Sequence, residues 1–171
     1  MCTRVLAILT LWMALLFWTE PLSAQTPLPK PDHIVIVIEE NHSFAQIIDS
    51  PLAPYLNSLA HKGALLTNSY GVTHPSQPNY IALFAGSIEG VNGNTCPLAL
   101  TAPNLHSTLT QAGQTFAGYA EDLPAVGATD CVAGSYARKH NPWVNWQSSP
   151  INTVPSGDNR PFTAFPTDFH T

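Results

Sequence analysis

The stretch HIVIVIEENHSF, residues 33–44, decides the fold. Five aliphatic residues, Ile34 to Ile38, run without interruption and end abruptly in Glu39, Glu40, Asn41 and His42. A continuous β-branched run of this length is the pattern of a strand covered on both faces, as in a parallel sheet. The segment 50–63, SPLAPYLNSLAHKG, follows with Leu52, Leu56 and Leu59 at helical spacing and Gly63 as a stop. ALLTNSY, residues 64–70, reads as the next strand, which makes a βαβ unit. PNYIALFAG (78–86) predicts a helix with Pro78 in its first turn. NLHSTLTQAG (104–113) predicts another, capped by Asn104 and stopped at Gly113. QTFAGYAE (114–121) predicts a third strand. This order specifies an α/β layered fold with a central, mostly parallel sheet. Beyond Glu121 the pattern fades into sequence rich in Pro, Asn, Ser and aromatics, read as irregular chain wrapping a sheet edge.

Composition narrows the function classes. The chain has 171 residues, 44% of them apolar, which suffices for one globular domain. Charged residues make up only 10%, against roughly 25% in typical domains. Six Lys and Arg and a net charge of −5 provide no basic stripe, which argues against a nucleic-acid partner. At the N-terminus, Arg4 precedes an apolar run from Val5 to Trp18, then Pro21 and the small residues Ser23 and Ala24. That is the pattern of a secretory signal peptide over residues 1–24, with a Pro-rich linker at 25–31 and one domain at 32–171. The apolar run is short for a span of about 20 residues, so no stable membrane span is expected after cleavage. Cleavage removes Cys2 and leaves Cys96 and Cys131. An even count in an exported chain, with no CxxC pair to suggest a thiolate metal site, predicts a disulfide.

Three stretches can carry chemistry. Ligands of open parallel sheets bind beyond the carboxyl ends of strands, where Glu39, Glu40, Asn41 and His42 are expected to stand. Adjacent carboxylate and amide oxygens suit a hard cation; the same residues also read as a polar strand exit, with Asn41 or Ser43 capping the next turn. In GVTHPSQPNYIALFAGS, Ser76 lies between two prolines just before a helix, in the positive field of its N-terminus. It reads either as a nucleophile or as a simple helix cap. His74 and Asn79 flank it in the same turn. In ARKHNPW, Arg138, Lys139, His140 and Asn141 form either an anion site or a solvated turn. His33, His61 and His106 read as surface or packing histidines.

Taken together, EENHSF, THPSQPNYIALFAG and YARKHNPW resemble the bacterial acid phosphatase and phospholipase C phosphoesterases of the alkaline phosphatase superfamily. The resemblance runs in order from Asp32 to Trp146, and FTAFPTDF resembles the segment leading into that family's second half. It implies an alkaline-phosphatase-like α/β sandwich and hydrolysis of phosphate esters through a phosphorylated Ser or Thr, with a divalent metal ion. Carried over by position, Glu40 and Asn41 match the metal-binding pair, Ser76 the nucleophile, and His140 a histidine at the phosphate or leaving group. His74 is placed near the phosphate. The family completes its metal site with carboxylates from its C-terminal half, an adjacent Asp pair at a WDE-type strand end. Nothing after Trp146 matches that pattern, so the sequence is expected to correspond to the N-terminal portion of such an enzyme.

The expected function is that of a secreted or periplasmic, metal-dependent phosphomonoesterase of acid phosphatase type, acting through phosphoserine on a phosphate ester substrate. The alternatives are a phospholipase C-type diesterase, a non-catalytic remnant that binds anions or a partner, and an exported metal- or phosphate-binding protein.

Overall fold

The computed structural model describes residues 29–169; the segment 1–24, expected to be a signal peptide, lies outside them. The chain divides between Ala64 and Leu65 into two units.

In the first unit, the expected strand at 33–40 is irregular chain without a ladder partner among the described residues. Ile34 is 79% exposed and Val37 69%. The expected partner, residues 64–70, also forms no strand and contains a turn at 67–68. A β-branched run encodes an extended backbone, but a strand exists only when another strand takes its N–H and C=O groups. Neither segment meets such an edge here, so the βαβ unit is not formed. Two helices follow, α1 (Phe44–Ile47) and α2 (Pro54–Lys62). Ser43 is the N-cap of α1, and its N–H donates to Gln46 Oε1 at 2.7 Å. Pro54 starts α2 and Gly63 ends it, donating to the Leu59 carbonyl. Asn57 staples the connection: its Nδ2 donates to the carbonyls of Ile47, Ser50 and Ala53, and its Oδ1 accepts from Asp49 N–H.

The second unit holds the core. Helices α3 (Ser76–Ala85) and α4 (Leu105–Gln111) are where the periodicity placed them. Gly86 ends α3 in the left-handed conformation, φ 77°. Asn104 caps α4, its side chain accepting from Ser107 N–H. The third expected strand survives as β1 (Gly118–Ala120). It pairs in parallel with β4 (Asn159–Pro161), in register Gly118 with Asn159. A two-residue turn at Gly134 and Ser135 closes the hairpin β2 (Val132–Ala133) and β3 (Tyr136–Ala137). A last helical turn, α5 (Phe165–Asp168), closes the described chain. The class is therefore α/β with a small parallel sheet of two strands. The segment read as irregular supplies β4, because the β1 edge offers Asn159–Pro161 a ladder that no local pattern announces.

The core packs α3 against the segment after β3. Ile81, Phe84, Trp146 and Val154 are buried together, with Phe116 and Trp143 against them. Phe84 meets Phe116 and Trp146 with ring centroids 5.4 Å apart in each case, tilted or edge-on. Gly118 is required by this packing: a Cβ there would come within 2.3 Å of the Trp143 indole. Cys96 and Cys131 form the expected disulfide across 35 residues.

Candidate active site

Helix α3 presents the candidate nucleophile. Gln77, Pro78, Ile81 and Phe84 are its buried residues, and burial of Ile81 and Phe84 fixes the helix on the core. Ser76 is the first helical residue and only partly buried. It is not the N-cap: Pro75 holds that position, and no side chain of its own caps the helix. The first-turn N–H of Gln77 is instead taken by Asn94 Oδ1, at 3.2 Å from a loop 17 residues downstream. Ser76 Oγ donates to no protein group among the described residues, so its hydroxyl stays open to a ligand at a positive helix end.

The turn leading into α3 is held by Asn79. Its Nδ2 donates to the carbonyls of Thr73 and Pro75 at 2.7 and 2.9 Å, and its Oδ1 accepts from Thr73 N–H at 3.0 Å. Asn79 therefore shapes the turn, while His74 stands exposed within it, before a cis peptide to Pro75. Tyr80 follows Ser76 by one helical turn on the same face. Its ring lies 5.5 Å from the His140 ring. His140 belongs to a 3₁₀ turn, Arg138–His140, that packs on α3. Ser76, His74 and His140 thus come from the start of α3 and the element packed against it.

The cationic cluster read from ARKHNPW divides. Arg138 is buried at 5% exposure, and its guanidinium is engaged by Thr129 O at 2.8 Å, Leu98 O at 2.9 Å and Asn145 Oδ1 at 3.3 Å. Burial pulls its pKa below the usual value. Asn141 is fully buried and donates to Asn159 Oδ1 and the Tyr136 hydroxyl. Trp143 Nε1 donates to the same Asn159 Oδ1 at 2.8 Å. Burial raises the Tyr136 phenol, opposed by its Asn141 hydrogen bond. An anion site built of all four residues is therefore excluded: two are spent on carbonyls and on β4, because a buried polar group must find a partner. Lys139 and His140 remain partly exposed.

Glu40 and Asn41 lie in the first unit, exposed, with Asn41 in the left-handed region at φ 69°. They provide two hard oxygen donors. Among the described residues no group of three His, Cys, Asp or Glu side chains could hold a metal ion, so these two do not complete a site that takes about six oxygen ligands. Asp168 is engaged by Arg160 Nη1 at 2.7 Å and by the Tyr119 hydroxyl at 3.0 Å. These bonds hold its carboxyl below the usual carboxylate range. His106 makes a packing pair with Asp158 at 3.5 Å and sets its ring edge-on to Phe116, as expected of a packing histidine.

The carboxyl ends of β1 and β4 open on a depression of about 590 Å³ bounded by Glu121, Asp122, Leu123, Ser135, Phe162 and Thr163. Ser76 and His140 do not line it. The residue that sequence reading missed is Asn94, because a separation of 17 residues, much of it α3 itself, hides its proximity to the start of the helix. The one local signal is its NGNT sequence beside Cys96, which marks a fixed turn.

Residues 48–171 match the Phosphoesterase family. The chain is 54% identical over 144 residues to a phosphatidylinositol-3-phosphatase of Mycobacterium tuberculosis, covering 84% of this chain and 46% of that one. It is 34% identical over 118 residues to an acid phosphatase of Aspergillus fumigatus (64% of this chain, 26% of that one). It is 32% identical over 143 residues to a phosphate-repressible acid phosphatase of Penicillium chrysogenum (78% and 33%). The chain thus spans less than half the length of these relatives. No solved structure matches it.

Proposed function

The chain belongs to the phosphoesterase family, and on that premise we propose that Ser76 is the nucleophile of a phosphate-monoester hydrolase of acid phosphatase type. The observation that supports this most directly is the start of α3. Ser76 occupies the first helical position, its hydroxyl is not spent as a cap, and Asn94 has replaced it in that task. A phosphoryl group there meets the helix N-terminus, where negative charge is stabilised.

In the proposed reaction Ser76 Oγ attacks phosphorus in line. The Oγ–P bond forms as the ester P–O bond breaks, the Ser76 hydroxyl proton passes to solvent, and the alcohol leaves with a proton supplied by His140, which the water of the next step replaces. Water then attacks the phosphoserine, the Ser–O–P bond breaks, and orthophosphate departs with the serine restored. His74 stands in the turn before Ser76, where it would contact the phosphate oxygens. Asn94, held through its Oδ1, keeps its Nδ2 hydrogens for one of the same oxygens. Most of the gain in such a reaction comes from positioning and charge stabilisation.

Metal dependence belongs to the same proposal, with Glu40 and Asn41 as two of the ligands; the chemistry a divalent ion supplies to phosphate-ester hydrolysis is charge neutralisation. The set is short of ligands within the described residues, so no step is assigned to the ion. An alkaline-phosphatase-like layered sheet, export through the signal-like N-terminus, and secretion or periplasmic residence complete the proposal. The disulfide agrees with an oxidising compartment. The name of the Mycobacterium tuberculosis relative is that of a monoesterase on a lipid headgroup, which favours monoester over diester substrates.

The test is hydrolysis of p-nitrophenyl phosphate across pH, with divalent cations or with EDTA, by wild type and Ser76→Ala. The proposal expects turnover that chelation suppresses and that Ser76→Ala lowers by at least about a thousandfold. A folded wild type without turnover, or a Ser76→Ala variant that retains it, defeats the reading.

A further inference from the structure

Gln77 follows the proposed nucleophile and points into the protein. It is buried to 1% exposure, and its side-chain amide makes a two-bond clamp on one backbone residue of a distant loop. Gln77 Oε1 accepts from Thr95 N–H at 2.6 Å, and Gln77 Nε2 donates to Thr95 O at 2.9 Å. A side chain thereby pairs with Thr95 as a neighbouring strand would. The preceding residue, Asn94, accepts from the Gln77 backbone N–H. The following one, Cys96, is tied to Cys131. Both the main chain and the side chain of Gln77 therefore grip residues 94–95.

We infer that Gln77 is a positioning residue that sets the Asn94 amide beside Ser76. The inference rests on the proposed nucleophilic role of Ser76. Asn94 itself is exposed, and among the described residues its Nδ2 donates to no protein group. A single bond through Oδ1 leaves that side chain free to swing with its loop. The Thr95 clamp removes this freedom one residue away, and burial of Gln77 makes the clamp rigid. Gln77 reaches the substrate only through Asn94, and its own side chain is buried about 100° round the helix from Ser76. The loop's other ties act farther off: the disulfide at Cys96, and Arg138 on the Leu98 carbonyl. A misplacement of about 1 Å at a reacting centre can cost about a hundredfold in rate, so loosening the clamp is expected to lower kcat.

The experiment is a double-mutant cycle in the full chain. Wild type, Gln77→Met, Asn94→Ala and the double variant are assayed with p-nitrophenyl phosphate, and hydrogen exchange is followed over residues 92–97. Gln77→Met keeps the length and loses both bonds. We expect its kcat to fall about 10- to 100-fold, with KM changed no more than about threefold. Exchange at 92–97 accelerates while the core segment 81–84 stays protected. The double variant is expected within about twofold of Asn94→Ala, because both changes remove one function. Gln77→Glu keeps the acceptor for Thr95 N–H, loses the donor, and should fall between; it is read in place of Gln77→Met if that variant does not fold. Additive losses, or a Gln77→Met kcat within twofold of wild type, overturn the inference. Absence of turnover in wild type would defeat the Ser76 reading instead. The exchange arm then decides alone: acceleration confined to 92–97 supports the clamp, and unchanged exchange overturns it.

Discussion

Replacing Arg138 by Met should unfold the second unit more easily without touching substrate affinity. The guanidinium spans the two arms of the disulfide, taking Leu98 O two residues after Cys96 and Thr129 O two residues before Cys131. Its third bond goes to Asn145 Oδ1, whose own Nδ2 donates to Pro142 O. Hydrogen bonds from a charged donor contribute about 1.5 kcal/mol each at the low end, so three amount to roughly 4.5 kcal/mol. Thr129 is an exposed residue, and water can replace the bond to its carbonyl. Removing that one leaves about 3 kcal/mol. At about 4 °C per kcal/mol for a unit of this size, Tm should fall about 12 °C. Urea and thermal unfolding of wild type, Arg138→Met and Arg138→Lys measure the free-energy loss and the Tm shift. Lysine keeps the charge but cannot bridge both carbonyls, and should recover only about 1 kcal/mol. A Tm within about 2 °C of wild type, together with a raised KM for p-nitrophenyl phosphate, would refute the reasoning and return Arg138 to an anion-binding role.

Three other changes probe the same frame. Reducing the Cys96–Cys131 bond, which closes a 35-residue loop, should cost about 3.8 kcal/mol by the chain-entropy relation; an unchanged urea midpoint with dithiothreitol would contradict this. Gly118→Ala places a methyl inside contact distance of the Trp143 indole and should destabilise by about 2–3 kcal/mol, read by thermal unfolding; tolerance would mean that Trp143 moves freely. Asp168 has a folded pKa held low by Arg160 and Tyr119, so its contribution is complete above its unfolded value of about 3.9 and is lost as pH falls through the lower folded value. The Tm gap between wild type and Asp168→Asn should therefore be constant near neutrality and close under acid; a gap that persists at pH 2 would sink the assignment.

How much could be read in advance differs by element. Helices α3 and α4 were legible because their information is local: Pro78 in the first turn, Asn104 at a cap, Gly86 and Gly113 after the last turn. The disulfide followed from the cysteine count. The strands were read poorly, since a strand is completed by a partner that may lie anywhere in the chain. HIVIVIEE looks like the strongest strand and pairs with nothing among the described residues, whereas Asn159–Pro161, which ends in a proline, pairs with β1. At the candidate site, Ser76 and His140 were legible as motif residues. The separate duties of Arg138 and Asn141 were not, because adjacency in ARKHNPW conceals that two of its residues turn inward.

By itself the sequence determined where helices α3 and α4 lie, that Cys96 pairs with Cys131, and the family. These rest on local backbone chemistry and on short fixed spacings. Tertiary structure alone decided which strand pairs with β1, that Asn94 rather than Ser76 caps α3, and that Gln77 grips Thr95. Each of those is a contact between groups far apart in the chain, and each follows from one physical demand: a buried donor or acceptor takes the partner that folding brings within about 3 Å.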